Sequence, residues 1–327
     1  MTIRVRLCVS LLVVLATCLS SALPSRAETY PARSVKIVVP FAAGGGTDLL
    51  ARIIAQELST AFDQPFVVEN RPGAGTQLGT EVVARATADG YTLLSTSMTS
   101  YVLNPSLYAK LGYDPLKDFT PVTLTGNFTL VLIANPTFPA KSVGDLIAMA
   151  KAKPGTINFA SSGPGSPHQL AMELLRTRAG ADMVHIPYKG AAPALQDVIA
   201  GHVPVMITDY SSSAPAIRSG LVRAIAVASP ERTSLLPDTP TIAEQGFPGY
   251  HASAWQGIVV PTGTPASIVD KLNAAIVVAL KKPAVRDKLL AAGIEPLTST
   301  PAEFAAYMRS EMQKWREVIA SAHVVLQ

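Results

Sequence analysis

The chain has 327 residues, with 27 lysines and arginines against 23 acidic residues for a formal net charge of +4, and only two cysteines. Arg4, Arg6 and Arg26 all fall within the first 27 residues, and without them 24 basic residues face 23 acidic ones. A balance so near neutral gives no case for nucleic acid or an anionic lipid surface as partner.

The leader comes first. Arg4 and Arg6 make a basic start, Leu7 to Leu19 is an apolar stretch interrupted by Ser10 and Thr17, and Pro24-Ser25-Arg26-Ala27 supplies small residues before Glu28. This is the layout of a secretory signal cut after Ala27, and the apolar run is too short for a membrane span. Leu15-Ala16-Thr17-Cys18 resembles a lipoprotein cleavage box, but Thr17 fits it poorly, so a soluble periplasmic product is favoured over a lipid anchor at Cys18. Cys8 and Cys18 both lie in the leader, so a chain starting at Glu28 has no disulfide, thiolate nucleophile or thiolate metal site. The roughly 300 residues that remain exceed the usual size of one domain, and two lobes are expected.

Val35-Lys-Ile-Val-Val39 reads as a strand, Phe41-Ala-Ala-Gly-Gly-Gly-Thr-Asp48 as a turn, and Leu49 to Phe62 as a helix with Leu50, Ile53, Ile54 and Leu58 on one face. A second strand, Pro65 to Asn70, leads through Arg71-Pro-Gly-Ala-Gly75 to a helix ending near Ala86, and Tyr91 to Ser95 is a third strand. Strands alternating with helices imply a mainly parallel α/β sheet. Pro121–Thr125 and Thr129–Ala134 are two extended runs joined by Gly126-Asn127-Phe128, read as the crossing into a second lobe. There the alternation repeats: helix 143–151, strand 157–160, helix 167–179, strand 183–186, helix 191–200 and strand 203–208. Leu221 to Ala228 returns the chain, and helices near 266–281, 283–292 and 301–320 close the first lobe. The expected organisation is a signal at 1–27, a first lobe of 28–124 plus 229–327, and an inserted lobe of 125–228, with a hinge between them.

Two loops carry the chemistry. Gly44-Gly45-Gly46-Thr47-Asp48 lets backbone amides converge at a helix start, where the dipole favours an anion without any basic side chain. Its plainer reading is a tight turn with a cap, and Asp48 suits a helix-start charge or a hydrogen-bond anchor better than a direct contact to a carboxylate. Ser161-Ser-Gly-Pro-Gly-Ser166-Pro-His168 sits equivalently in the second lobe, with Ser166 as N-cap and Pro167 in the first turn. Strand carboxyl ends are where open α/β sheets hold ligands. Two such loops facing each other across a cleft would grip the ends of a small acid. His168 is a ligand contact or a ring packed against the loop. Arg71 to Gly79 reads G-x-G-x-x-x-G, a near miss of the dinucleotide fingerprint, so no cofactor is expected, while Gly75 and Gln77 are candidates for a ligand loop. Lys189 and Asp209 stand at strand ends and complete the candidates. His185, His202, His251 and His323 have no paired metal-ligand spacing, and no metal is expected. Neither a G-x-S-x-G elbow nor a phosphate loop nor an H-E-x-x-H motif is present, and no enzyme activity is expected.

Pro40 to Asp48, Glu69-Asn-Arg-Pro-Gly-Ala-Gly75, Asp89-Gly-Tyr-Thr-Leu93, His185-Ile-Pro-Tyr-Lys-Gly190 and Leu236 to Gly246 together resemble the substrate-binding receptors of tripartite tricarboxylate transporters, the Bug-type family. The resemblance runs in order from about Tyr30 to the C-terminal helices. It implies an α/β fold of type II periplasmic-binding-protein character, two lobes with a hinge and a cleft. It also implies a carboxylate ligand held by loop amides, hydroxyls and water, delivery to membrane permease subunits, and a monomer. By position the family's first pocket loop falls on Phe41, Gly44, Gly45, Thr47 and Asp48, and its second on Ser161, Gly163, Ser166 and His168. Thr76-Gln77-Leu78, Pro164 and the Ile207-Thr208 pair before Asp209 depart from the family pattern, which bears on ligand identity. A receptor for an amino acid or an aromatic acid, a sensor feeding a signalling partner, and an enzyme on the same fold are the alternatives.

Overall fold

The computed structural model describes residues 30–322 and residue 324. The signal at 1–27, its Ala27 cut, Cys18 and His323 lie outside the described residues. The chain divides into a first unit up to Ala32, described only at Tyr30, Pro31 and Ala32, and a second from Arg33 onward. The second unit holds two sheets.

In chain order its elements are β1 (Val35–Val39), α1 (Gly46–Phe62), β2 (Phe66–Asn70), α2 (Gln77–Ala84), β3 (Thr92–Ser97), a π-helical turn at Thr99–Leu103 and α3 (Asn104–Leu107). Then follow β4 (Phe119–Phe128), β5 (Leu130–Ala134), α4 (Val143–Ala152), β6 (Asn158–Ser161), α5 (Pro167–Ala179), β7 (Val184–Pro187), α6 (Ala191–Ala200), β8 (Val205–Asp209), α7 (Tyr210–Arg218) and β9 (Arg223–Val227). The chain finishes with β10 (Ala254–Pro261), α8 (Ala266–Lys281), α9 (Pro283–Ala291), β11 (Ile294–Glu295) and α10 (Pro301–Ser321). Local chemistry explains many of the boundaries. Ser142 with Asp145 and Thr300 with Glu303 form capping boxes at the starts of α4 and α10. Gly180 and Gly201 take left-handed backbone at the ends of α5 and α6, where a side chain would be strained.

The first sheet runs β11-β4-β10-β3-β1-β2 and the second β7-β6-β8-β5-β9. Both are mixed rather than mainly parallel. β1 pairs parallel with β2 and β3, and β6 with β7 and β8, but β10 is antiparallel to β3 and β4, as β5 is to β8 and β9. The strands that break the parallel pattern are those entering or leaving a sheet without a crossover helix. Gly126-Asn127-Phe128 is not a link between extended runs: all three pair within β4, so the chain changes sheet at Thr129. The return also falls later than residue 228. Gln245 accepts from Val143 N at 2.9 Å and donates to Ile225 O at 2.9 Å, and Tyr250 Oη donates to Ala171 O at 2.7 Å, so this segment stays with the second sheet until just before β10. Glu295 fastens the crossings, accepting from Thr129 Oγ1 at 3.0 Å and from Thr233 Oγ1.

The last helix, α10, lies against both β4 and α5. Its Phe304 ring meets Trp255 edge-on at 5.6 Å and Tyr101 at 6.0 Å, while Tyr101 and Trp255 stack at 5.7 Å. All three are fully buried. Glu311 accepts from both Trp255 Nε1 at 3.3 Å and Trp315 Nε1 at 2.9 Å, which satisfies two indole donors that burial would otherwise strand. Phe304→Ala removes the ring at the centre of this cluster and is expected to lower unfolding free energy by about 3–5 kcal/mol. In urea denaturation the midpoint should fall with little change in slope.

Candidate functional site

The turn between β1 and α1 is organised by Asp48. Its carboxylate is buried and accepts from Gly44 N at 2.8 Å, Arg52 Nε at 3.0 Å and Asn70 Nδ2 at 2.9 Å, while Asn70 also reaches Phe41 O at 3.1 Å. Burial would raise this carboxyl, but the Arg52 guanidinium, the Gly44 amide and Asn70 outweigh it and hold it below the usual carboxylate value. Asp48 is therefore the anchor of the loop, and the Gly44 amide, expected to serve an anion, is already taken. Gly44 itself has φ +85°, which no ordinary side chain adopts without strain. What the turn offers instead is the start of α1. Gly45 is its N-cap and gives no side-chain cap, leaving the first-turn amides without intrahelical partners. A Cβ on Gly46 would come 2.5 Å from Phe128 Cζ, so the helix start is packed directly under that ring. Thr47 Oγ1 donates to Gln256 Oε1 at 3.1 Å, fixing loop to β10.

The serine loop after β6 is closed on itself. Ser161 Oγ donates to Gly163 O at 3.1 Å, accepts from Gly163 N at 3.1 Å and meets His185 Nε2 at 2.6 Å. Ser166 Oγ bonds Gly163 O at 2.7 Å and caps α5 by accepting from Gln169 N at 3.3 Å, and Gln169 in turn accepts from Gly165 N at 2.7 Å. The hydroxyls of Ser161 and Ser166 are spent within the loop. The polar end that the second sheet presents is the start of α7 instead. Asp209 stands at the N-cap of that helix yet makes no side-chain cap bond; its Oδ2 meets His168 Nε2 at 3.0 Å.

These pieces meet in a cavity of about 340 Å³ between the two sheets. Of the sequence candidates, Phe41, Thr47, His168 and Asp209 line it. Gly44, Gly45 and Asp48 shape its wall from behind, and Ser161, Gly163 and Ser166 hold the loop that carries His168. Gly75 lies elsewhere: Asn104 Nδ2 donates to its carbonyl at 2.9 Å, and an added Cβ would fall 2.5 Å from Tyr108 Oη. Gln77, at the start of α2, and Lys189, exposed on the loop after β7, are also absent from the lining. The reading missed Ser97, Thr99, Phe128 and Gln256 on the first side and Ser211 and Ser212 on the second. Ser211 and Ser212 were hidden because Tyr210-Ser-Ser-Ser-Ala-Pro215 has weak helix propensity, although an Asp followed by serines is an N-terminus signal that was available. Gly293 packs directly against Ser211, since a Cβ there would lie 2.8 Å from Ser211 Cβ.

Among the described residues lining the cavity there is no lysine or arginine; Asp209 is its carboxylate and His168 its imidazole. Two helix starts without side-chain caps, α1 and α7, border it, together with hydroxyls from Thr47, Ser97, Thr99, Ser211 and Ser212. That arrangement suits an anion held by dipoles and neutral donors. A larger hollow of about 500 Å³ lies at the opposite ends of β1–β3, but its charges pair internally, Lys36 with Glu69 at 2.7 Å and Arg33 with Asp89 at 3.1 Å.

Asp48→Ala strands the Gly44 amide and Arg52 and is expected to lower stability by about 1–3 kcal/mol, measured by thermal or urea denaturation, with Asp48→Asn falling between. The second loop carries a pH signature. Burial, helped by Arg176, pushes the His185 imidazole from 6.5 down to about 4. The unfolded chain then binds more protons than the folded one between those values, so this contribution is complete above about pH 6.5 and lost as pH falls towards 4. The melting temperature should drop across that window, and His185→Gln should flatten the slope.

Residues 50–324 match the family model described as tripartite tricarboxylate transporter family receptor. The chain is 40% identical over 299 residues to Protein BugT of Bordetella pertussis, across 91% of this chain and 92% of that one. Among solved structures it is similar to an R. palustris protein with adipate, at 36% identity and TM-score 0.79 over 90% of this chain and 99% of that one. It is also similar to MatC from Rhodopseudomonas palustris with bound malate, at 36% identity and TM-score 0.74 over 89% and 100%. The two-lobed α/β architecture expected from the sequence is the one these neighbours share.

Proposed function

The chain belongs to the tripartite tricarboxylate transporter receptor family, and from that premise we propose that it captures a small organic acid, a di- or tricarboxylate or a relative of one, between its lobes and passes it to membrane permease subunits. The observation that carries the proposal is the pairing of two helix starts, α1 and α7, on one cavity with neutral donors and no lysine or arginine. A ligand carboxylate takes the amides and hydroxyls at the α1 end, where Thr47 and Phe41 sit, and the other end of the molecule meets the serines at the start of α7. Each charge-assisted hydrogen bond is worth about 1.5–3 kcal/mol, so a few are enough for micromolar affinity.

The lobes in this reading are the two sheets with their helices, divided at Thr129 and at the stretch before Ala254, and they close by bending there. Relatives solved with adipate and with malate support the ligand class. No helix among the described residues is long and apolar enough to cross a membrane, which accords with export to the periplasm after removal of the leader. The protein acts as a monomer and returns its ligand unchanged.

Native mass spectrometry of the purified mature chain, followed by a thermal-shift screen of organic acids, tests this. A true ligand at a hundredfold excess over its dissociation constant should add about 2.7 kcal/mol of stability. The same acid should be recovered intact after denaturation. If neutral solutes shift the melting curve and no acid does, the carboxylate assignment is wrong.

A further inference from the structure

Asp209 is spent on neither of the tasks an aspartate in its position normally performs. At an N-cap its carboxylate would accept an amide of the following turn; here no such bond forms, and the chain carbonyl is held instead by the Ser212 hydroxyl at 2.9 Å and the Ser213 hydroxyl at 3.0 Å. Nor does it pair with a cation from lysine or arginine, because none lines the cavity among the described residues. Its Oδ2 accepts from His168 Nε2, and its Oδ1 has no protein partner among the described residues. The side chain is one-quarter exposed, on the cavity wall.

His168 fixes the sense of this pair. The ring is buried, and its Nδ1 has no partner. A bare Nδ1 left unpaired is less costly than a buried N–H with nowhere to donate, so the proton sits on Nε2 and points at Asp209. Asp209 Oδ2 is thereby engaged as an acceptor, and Oδ1 is the oxygen left for a guest.

Resting on the carboxylate reading above, we infer that Asp209 is a specificity-determining residue that demands a hydrogen-bond donor from the ligand. The acid groups of the ligand go to the hydroxyls and helix amides at either end. Between them the ligand must bring an O–H or N–H to Asp209 Oδ1. A diacid bearing a hydroxyl or amino substituent meets that demand, whereas a bare diacid sets methylene groups or a second acid group against that oxygen and leaves it unpaired.

The test is isothermal titration of the mature chain at pH 7 with matched acids of two lengths. One set is succinate, malate and aspartate; the other is adipate, 2-hydroxyadipate and 2-aminoadipate. Within at least one length, the substituted acid should bind about tenfold or more tightly than the bare one, the value of one charge-assisted bond. In Asp209→Asn that preference should shrink to a few-fold, through weaker binding of the substituted acid. Equal or tighter binding of the bare diacid by the natural chain overturns the inference, as does a preference that survives in Asp209→Asn. Should the variant fail to fold, the ranking by the natural chain still decides. Acids that bind without preference remove this inference alone; if no acid of any kind binds, the carboxylate reading goes with it.

Discussion

The buried carboxylate of Asp48 is the constraint on which the first wall of the cleft rests. It ties the amide of Gly44, the guanidinium of Arg52 and the amide of Asn70 into one cluster, and so joins the β1–α1 turn to the end of β2. With the loop held from behind, α1 needs no side-chain cap, and its first amides remain available on the side that faces Phe128 and Gln256. The arrangement uses a charged group to fix geometry while keeping that charge behind the wall.

The second wall solves the same problem differently. The β6–α5 loop is held because the side chains of Ser161, Ser166 and Gln169 bond its own backbone, and His185 braces it through Ser161. That bracing positions His168, which in turn orients Asp209 at the start of α7. Each wall thus has an inner layer of polar groups that never touches the cavity and an outer layer that does.

How much of this was legible depends on where the signal came from. α5 and α6 were read to the residue because Pro167 opens one, and glycines that tolerate left-handed backbone end both. α8 was read as fully, from its apolar periodicity. β10 was missed: its β-branched residues are only Ile258-Val259-Val260, and a partner on each side makes the longer segment a strand. The glycine loop was found, but its role as a nest of free amides was overstated because a single sequence does not reveal that Asp48 folds back on Gly44. The serine loop drew attention that belonged to α7, since hydroxyl-rich turns look alike until their hydrogen bonds are traced. Spacing along the chain is a local signal, and which helix start opens onto the gap is decided by the packing of the two sheets.

A wall built from dipoles and hydroxyls rather than guanidinium groups has a kinetic meaning for a carrier. A guest gripped by fixed opposite charges would be slow to leave. A guest held by many modest, neutral donors loses them one at a time when the walls part. Handing cargo onward then needs only a small mechanical separation, which suits a molecule whose task ends at release.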